Sequence, residues 1–304
     1  FVAEADESDG SFLLLAPAGA IVLNVELDHL DRHGDLDGIR AAYRSFVDTV
    51  APGGFLVLCA DDPDAAALAG PARTRGLRVR TYGLSVGADL RLFEVTLHER
   101  STSYAAVLDG VPLGRVAVGA LGVHMALNSA AALLAGVELG QPAAGLADGL
   151  AAYEGVHRRF ELLGEAGGVR VYDDYAHHPT EIAAQLRAAR ATAGAGRLVA
   201  VFQPYLYTRT QAFAAQFGAA MGLADEAVVM EIAVNREDPI PGVTGELIAA
   251  QVPLPSAQVA FAPTWAGTAE IVAARVTRGD VVVLLGSGPV YKLGPEILHL
   301  LEQR

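Results

Sequence analysis

Polar and ionisable side chains are concentrated in residues 173–181, which read DDYAHHPTE. This stretch follows an apolar segment at residues 169–172 that predicts a strand, and it opens an Ala-rich segment that predicts a helix. Ligands of open α/β sheets bind where strands end and helices begin. Pro179 suits a first helical turn, and the free N–H groups of such a turn favour an anion. The stretch predicts a site for a phosphate or carboxylate group, and the plainer alternative is a helix cap among polar loop residues.

Two acidic clusters in the first half contain the residue types that bind a divalent cation. The cluster at residues 4–9, EADESD, follows residues 1–3, which predict a short apolar strand. The cluster at residues 24–31, NVELDHLD, closes a strand predicted at residues 20–25. Mg²⁺ prefers oxygen ligands and keeps several waters. The pair of clusters therefore predicts a magnesium site that carries phosphate oxygens, with solvated acidic loops as the alternative.

Three further groups have side chains that can contact a nucleotide or an anionic substrate. His124 and Asn128 are four residues apart, so they share one face of a predicted helix and could hydrogen-bond a flat heteroaromatic ring. The RRFE segment at residues 158–161 offers guanidinium groups, which bind phosphate and stabilise charge in phosphoryl transfer. Arg209 follows a predicted strand near a helix start, where it could meet an anionic group.

The composition limits the class of protein. With 304 residues, 52% of them hydrophobic, the chain suits two ordinary domains with sizeable cores. A net charge of −13 argues against non-specific binding to nucleic acid or to anionic membranes. Cys59 is the single cysteine, which favours a reducing, cytoplasmic location. The sequence has no apolar run of membrane-spanning length and no signal-peptide pattern.

Apolar strands and Ala-rich helices must position these groups. In the first half, strands are predicted at residues 20–25, 55–60, 79–83, 90–98, 104–108 and 115–118, and helices at 36–50, 124–137 and 142–153. In the second half, strands at 170–172, 198–202, 227–232, 258–261 and 281–285 alternate with helices at 180–193, 210–223, 245–251, 265–277 and 295–302. This alternation predicts a parallel sheet covered on both faces. A change in composition near residue 154 predicts domains at 1–154 and 155–304.

Together these segments resemble the Mur ligases, the ATP-dependent enzymes that form amide bonds in peptidoglycan synthesis. The resemblance runs through the whole chain and is most specific at EADESDGSF (4–12), NVELDHLD (24–31), RRFE (158–161), DDYAHHPTE (173–181) and EDPIPG (237–242). It implies an α/β fold, with a central ATP-binding domain, incomplete at its N-terminal end, followed by a Rossmann-like, doubly wound C-terminal domain. The double histidine points to the branch of the family that adds alanine.

The resemblance also assigns roles by position. In the first half, Glu4 and His29 match ligands of Mg²⁺, and Glu7 is the less favoured choice for the carboxylate. His124 and Asn128 match the pair that contacts adenine.

In the second half, Arg159 matches the arginine near the γ-phosphate of ATP, and Asp174 matches the carboxylate near the ribose. Tyr175, His177 and Arg209 match positions that line the amino-acid and muramoyl site. The candidate catalytic residues are therefore Arg159, His177 and His29.

The implied reaction uses ATP and Mg²⁺ to join L-alanine to UDP-N-acetylmuramate. A carboxylate is a poor electrophile, so its phosphorylation supplies a leaving group that the amine displaces. Cations then offset the charge that accumulates in the transition state. The sequence departs from the family pattern at Tyr205, at residues 233–235 and at Pro289, which concerns the geometry of the amino-acid pocket.

A phosphate-binding loop of the pattern Gly-x-x-x-x-Gly-Lys-Ser/Thr is absent from this sequence. The sole lysine, Lys292, lies in GPVYKL, which does not fit that pattern. In the family this loop precedes the segment that matches Glu4. We therefore expect the chain to correspond to the C-terminal two-thirds of such an enzyme, without the UDP-binding domain, and to be inactive on its own.

Three other functions fit parts of the sequence. A ligase that joins a preformed tripeptide to the same UDP-sugar shares these motifs. A non-catalytic protein that binds a nucleotide or a partner fits the missing loop, although Glu4, His29, Arg159 and His177 count against it. A dehydrogenase is the weakest alternative, because the Gly-Ser-Gly at residues 286–288 lacks the third glycine of a dinucleotide fingerprint. The sequence does not indicate an oligomeric state.

Overall fold

The computed structural model describes residues 1–233 and 237–304, so part of the divergent segment at 233–235 lies outside the described residues. The chain has an α/β fold and divides into two compact units. Unit 1 consists of Phe1–Leu97 and Ser101–Tyr153, and unit 2 consists of His98–Arg100 and Glu154–Arg304.

Unit 1 is built on a six-stranded mixed sheet. Its strands are β1 (Gly19–Val22), β2 (Phe55–Cys59), β3 (Arg78–Gly83), β4 (Leu90–Leu97), β5 (Thr102–Leu108) and β6 (Val111–Val118), in the spatial order of their numbers. Its helices are α1 (Leu30–His33), α2 (Leu36–Thr49), α3 (Pro63–Ala67), α4 (Ala69–Thr74), α5 (Val123–Glu138) and α6 (Ala143–Ala151). The first four strands pair in parallel, and the last two add antiparallel pairs.

Local signals explain where the main helices of unit 1 begin and which face they bury. The side chain of Asp35 accepts a hydrogen bond from the backbone N–H of Gly38 at 2.9 Å, which caps α2. The buried face of α2 includes Ile39, Phe46 and Val47. Helix α5 starts after Gly122, whose φ of 121° favours glycine. Its Ala- and Leu-rich face packs into the core formed with the middle strands of the sheet.

Unit 2 is a second six-stranded sheet with helices on both faces. Its strands are β7 (Glu161–Ala166), β8 (Val169–Asp174), β9 (Leu198–Phe202), β10 (Glu226–Met230), β11 (Val259–Ala262) and β12 (Val281–Leu285), in the order β11-β10-β9-β12-β8-β7. Its helices are α7 (Pro179–Ala193), α8 (Tyr207–Met221), α9 (Glu246–Ala249), α10 (Thr268–Arg275) and α11 (Leu293–Glu302). All pairs are parallel except β7 with β8.

Burial on both faces of this sheet explains its continuous apolar strands. Every residue of β9, β10 and β12 is buried. One face packs against α10 and α11 in a single apolar cluster. On the other face, the ring of Phe202 lies 5.0 Å from the ring of Phe217 in α8. The predicted doubly wound architecture is therefore confirmed.

Strand β7 was not predicted, because its sequence ELLGEA mixes polar and apolar residues and is only partly buried. It is an antiparallel edge strand that turns into β8 through Gly167 and Gly168, whose φ values are 60° and 75°. Glycine adopts such values at little cost, which allows a two-residue hairpin turn. The pairing places Glu161 opposite Asp173, so the RRFE and DDYAHHPTE segments become neighbours.

The predicted strand at residues 1–3 is wrong. Residues 1–7 have no helix or strand, and Phe1 and Val2 are fully or almost fully exposed. A strand is stabilised by its ladder of backbone hydrogen bonds, and these residues do not pair with the sheet. The first acidic cluster therefore follows an irregular segment, and not the end of a strand.

Candidate active site

Three loops of unit 2 meet at the carboxyl ends of neighbouring strands. In the sheet register, Leu285 at the end of β12 lies level with Asp174 in β8 and with Phe202 in β9. The N–H of Gly286 donates to the carbonyl of Asp174 at 3.1 Å, and the N–H of Gln203 donates to the carbonyl of Leu285 at 3.0 Å. The loops that follow β8, β9 and β12 therefore begin side by side, as expected for a ligand site in an open α/β sheet.

Asp174 is a deeply buried carboxyl group at this edge, with 3% of the residue exposed. One side-chain oxygen accepts the N–H of Ala176 and the other accepts the N–H of Phe160, both at 2.8 Å. Burial raises the pKa of Asp174 to about 6, although these hydrogen bonds and the charge of Arg159 favour the ionised form. Asp174 thus fastens the RRFE segment and the DDYAHHPTE segment to the same point.

Asp173 is equally buried but has a charged partner. Its Oδ2 accepts a hydrogen bond from Nε of Arg158 at 2.9 Å. Burial raises the pKa of Asp173 above its ordinary value, and the Arg158 guanidinium partly opposes that shift.

Three buried polar atoms near this edge have no hydrogen-bond partner within residues 1–233 and 237–304. They are Oδ1 of Asp173 in β8, Oε1 of Gln203 after β9 and Oγ of Ser287 after β12. Buried polar groups are normally hydrogen-bonded, because an unmet group costs about 1–3 kcal/mol. Unmet oxygens beside three neighbouring strand ends therefore fit an edge that receives a polar ligand.

The N–H groups just ahead of α7 bond to a carboxylate of the helix itself. Oε2 of Glu181 accepts the N–H of His177 at 2.9 Å and the N–H of His178 at 3.1 Å. This carboxylate, three residues into the helix, is part of a capping box and occupies two N–H groups that precede the first helical turn. A ligand anion at the N–H groups of the turn itself stays a prediction. The ring of His178 packs on Phe213 at 5.3 Å and is buried.

Arg159, Tyr175 and His177 come together on the accessible side of the same edge. The guanidinium of Arg159 lies 5.6 Å from the ring centroid of Tyr175, and both residues are exposed. The rings of Tyr175 and His177 meet edge-on at 5.2 Å, and Nδ1 of His177 lies 3.0 Å from the carbonyl oxygen of Tyr175. The three side chains thus form one cluster that a ligand can reach.

Arg209 lies in the first turn of α8 and is buried, with 6% exposed. Its neighbour Thr208 donates its N–H to Oε2 of Glu237 at 3.0 Å, and its hydroxyl donates to Oε1 of Glu237 at 2.5 Å. The EDPIPG segment is thereby fastened to the start of α8. Sequence reasoning did not single out Glu237 as a site residue, although the segment that contains it was noted.

In unit 1 the structure brings Glu7, and not Glu4, to His29. Nε2 of His29 lies 3.4 Å from Oε1 of Glu7 and 3.6 Å from Oδ2 of Asp28. The hydrogen bond with His29 is the largest cause of a lowered pKa at Glu7, and burial partly opposes it. His29 has a φ of 49°, an uncommon backbone region for a residue with a side chain. Glu4 is exposed.

This group offers an imidazole nitrogen and carboxylate oxygens, which suit a divalent cation that also takes phosphate oxygens and water. Within the described part of the chain, no three His, Cys, Asp or Glu side chains are arranged to hold a metal on their own. His29 and Glu7 therefore fit a cation that shares its ligands with a substrate, and do not form a complete protein cage.

His124 and Asn128 lie in the first two turns of α5, as the spacing predicts. His124 is half-buried and Asn128 is exposed, and the residues between and beyond them on the inner face, Ala126 and Ser129, are buried. The helix thus keeps both polar side chains off its buried face, where they remain candidates for contact with a flat ring.

The chain belongs to the Mur ligase family. The family model of the Mur ligase middle domain matches residues 2–136, and the model described as the Mur ligase, glutamate ligase domain matches residues 158–288.

Among curated relatives, a UDP-N-acetylmuramate--L-alanine ligase of Kineococcus radiotolerans is 54% identical over 304 residues, which covers all of this chain and 64% of that protein. The chain spans 62–64% of the length of the first relatives it matches.

Solved structures share the fold. The UDP-N-acetylmuramate-alanine ligase MurC of Thermotoga maritima matches 98% of this chain and 63% of its own with a TM-score of 0.78 and 23% identity. The MurF ligase of the same organism, solved in complex with ADP, matches 99% of this chain and 66% of its own with a TM-score of 0.77 and 22% identity. None of the described helices is both long and apolar enough to span a membrane.

Proposed function

We propose that this chain supplies the ATP-handling and amino-acid-handling parts of a UDP-N-acetylmuramate–L-alanine ligase. The observation that carries the proposal is 54% identity, over the whole chain, to a relative of that name. The cluster of Arg159, Tyr175 and His177 beside a polar strand edge supports it, because it supplies the groups that an anionic acyl phosphate and an amine require.

In the proposed reaction the muramate carboxylate attacks the γ-phosphate of ATP, which releases ADP and forms an acyl phosphate. The amine of L-alanine then displaces phosphate from the acyl phosphate and loses a proton. Arg159 is exposed and lies beside the ring of Tyr175, and its guanidinium stabilises the charge on the transferred phosphoryl group. Tyr175, His177 and Arg209 line the amino-acid and muramoyl site. Asp174 faces the ribose side while it holds the backbone of both active segments.

Unit 1 supplies the groups for the nucleotide and the cation. His124 and Asn128 contact adenine from one face of α5. His29 holds Mg²⁺ together with Glu7 or Glu4, and the contact between His29 and Glu7 favours Glu7. When bound, the cation neutralises charge on the phosphate oxygens. The substrates and the single buried cysteine fit the bacterial cytoplasm.

Phosphate release tests the proposal on the complete product of the gene that encodes this chain. We expect release that requires ATP, Mg²⁺, UDP-N-acetylmuramate and L-alanine together. Release with a preformed tripeptide in place of L-alanine would instead identify a recycling ligase. Nucleotide binding without release under either condition would identify a non-catalytic protein.

The 304 residues alone provide a matched control. Their sequence has no lysine in a phosphate-binding loop, since Lys292 lies outside any such pattern. We expect no ATP- and L-alanine-dependent phosphate release from them, and release at the rate of the complete gene product would contradict this expectation.

A further inference from the structure

The guanidinium of Arg158 connects three segments of unit 2. Its Nε donates to Oδ2 of Asp173 at 2.9 Å. Its Nη2 donates to the carbonyl oxygens of Gly286 at 2.8 Å and Gly288 at 3.2 Å, and its Nη1 donates to that of Ser287 at 3.3 Å. One side chain therefore bonds to the end of β8 and to three successive carbonyl groups of the loop after β12.

Two aromatic rings also contact the guanidinium of Arg158. The guanidinium carbon lies 4.9 Å from the ring centroid of Tyr175 and 4.8 Å from that of Tyr291. Such contacts stabilise a planar cation, and more strongly where water is excluded. The Arg158 side chain is 25% exposed, so water reaches only part of it.

The backbone around Arg158 is held in an uncommon conformation. Arg158 and Phe160 have φ values of 61° and 51°, a left-handed region that is strained for a residue with a side chain. The N–H of Arg158 donates to Glu161 at 2.9 Å, and the carbonyl of Arg158 accepts the N–H of Tyr175 at 2.7 Å. These hydrogen bonds to Glu161 and Tyr175 therefore stabilise the uncommon backbone conformation of the turn.

The side chains of this turn divide between two roles. Arg158 and Phe160 are partly buried, and the ring of Phe160 stacks on Tyr172 at 4.2 Å. Arg159, between them, is exposed and lies over the ring of Tyr175. The position of Arg159 and of Tyr175 thus depends on how Arg158 is anchored.

We propose that Arg158 is a positioning residue that fixes Arg159, Tyr175 and the loop at residues 286–288. Only a planar fork with donors along two edges can meet a carboxylate and three carbonyls while it lies against two rings. A lysine ammonium keeps the charge but has one nitrogen, so it cannot replace this set of contacts. The kinetic consequence of the proposal rests on the proposed ligase function, whereas its structural consequence does not.

Hydrogen exchange of the 304-residue chain tests the structural part with Arg158→Lys and Arg158→Met. We expect exchange at least ten-fold faster in residues 173–178 and 286–292, with protection in β9 unchanged. Arg197→Lys is the matched control, because Arg197 also bonds to carboxylates (Asp280 and Glu226) and to a carbonyl (that of Arg275), but just ahead of β9, at the opposite end of the strands. It should accelerate exchange around residues 275–281 only.

Each outcome decides the structural question. Unchanged exchange in residues 286–292 of Arg158→Lys would overturn the proposal. Faster exchange throughout β9 and β12 would overturn it as well, because Arg158 would then support the whole unit and not the edge. If Arg158→Met does not fold, the milder Arg158→Lys and the single-contact variant Asp173→Asn carry the test.

Steady-state kinetics of the complete gene product test the functional part. We expect Arg158→Lys to raise the KM for the amino acid about ten-fold and to lower kcat, with Arg197→Lys close to wild type in both. Wild-type kinetic constants in Arg158→Lys would overturn the functional role of Arg158. An inactive wild-type protein would instead refute the proposed ligase function, and the exchange experiment would still decide whether Arg158 positions the edge.

Discussion

At the carboxyl edge of unit 2, Asp174 is 3% exposed and receives two backbone N–H groups, whereas in unit 1 the Glu7 side chain is 37% exposed and meets the imidazole of His29. Burial raises the pKa of Asp174, and contact with His29 lowers the pKa of Glu7. Backbone donors are fixed by the fold, while a side-chain partner can rotate away. The edge of unit 2 is thus preorganised, and the group in unit 1 can rearrange around a cation.

The largest expected effect comes from removing the Asp174 carboxylate. Asp174→Ala leaves the N–H groups of Phe160 and Ala176 buried without acceptors, and we expect unit 2 to lose about 3 kcal/mol of unfolding free energy. Urea unfolding, monitored by the hydrogen exchange of β8, measures this loss of free energy. Glu7→Ala in unit 1 is the matched change and should cost less than 1 kcal/mol. Equal losses of unfolding free energy in Asp174→Ala and Glu7→Ala would contradict the difference between the two units.

The two carboxyl groups should also respond to pH in opposite directions. The pKa of Asp174 is about 6 in the folded chain and 3.8 for an ordinary aspartate, as in the unfolded chain. The folded state therefore binds the proton more tightly. Its contribution to stability is present below pH 3.8 and is lost as pH rises through 6. From pH 7 to pH 5 unit 2 should gain about 1 kcal/mol from this group.

Glu7 has the reverse sign, because its folded pKa lies below 4.5. Its contribution is present above pH 4.5 and is lost as pH falls through the folded pKa. Unfolding from pH 3 to pH 7 of wild type, Asp174→Asn and Glu7→Gln separates the two contributions. An unchanged pH dependence in Asp174→Asn would show that Asp174 is not the group responsible.

The caps of two helices offer a closer comparison between the units. Glu181→Ala removes an acceptor of two N–H groups at the start of α7, and we expect a loss of about 1.5 kcal/mol. Asp35→Ala removes an acceptor of one such group at the start of α2, and we expect about 1 kcal/mol. Thermal unfolding of both variants checks the order. A larger loss in Asp35→Ala would mean that the Glu181 bonds contribute little.

The smallest expected effect is on the stability of unit 1 when His29 is replaced. His29→Gln should change the unfolding free energy by about 0.5 kcal/mol, since the contacts with Glu7 and Asp28 are longer than 3.3 Å and partly exposed. Its effect on Mn²⁺ binding, measured by calorimetry with a nucleotide present, should be much larger. Glu7→Gln and Glu4→Gln in the same assay identify which carboxylate serves the cation, and we expect the stronger effect from Glu7→Gln.

The architecture could be predicted from the apolar runs of the sequence. The contacts between side chains that are distant in sequence could not be predicted. The strands β9, β10 and β12 are buried on both faces, so their sequences are continuously apolar and easy to recognise. The edge strand β7, of mixed composition, lacks that signal.

The site was predictable as a set of segments but not as a set of contacts. The choice of Glu7 over Glu4 as the neighbour of His29 depends on an irregular segment and on a left-handed backbone at His29, which no periodicity encodes. In the RRFE segment, the family resemblance assigned a role to Arg159 and none to Arg158. Only the fold divides them into an inward Arg158 and an outward Arg159.

The glycine turn between β7 and β8 also bears on how the chain folds. It brings Arg158 to Asp173, only 15 residues away, through a local hairpin, whereas the contact of Arg158 with Gly286 spans 128 residues. Contacts of short sequence separation lose little loop entropy, and those across a parallel sheet form late. The arginine turn and its aspartates should therefore assemble early. The loop after β12 closes over them only when the last strand has inserted between β8 and β9.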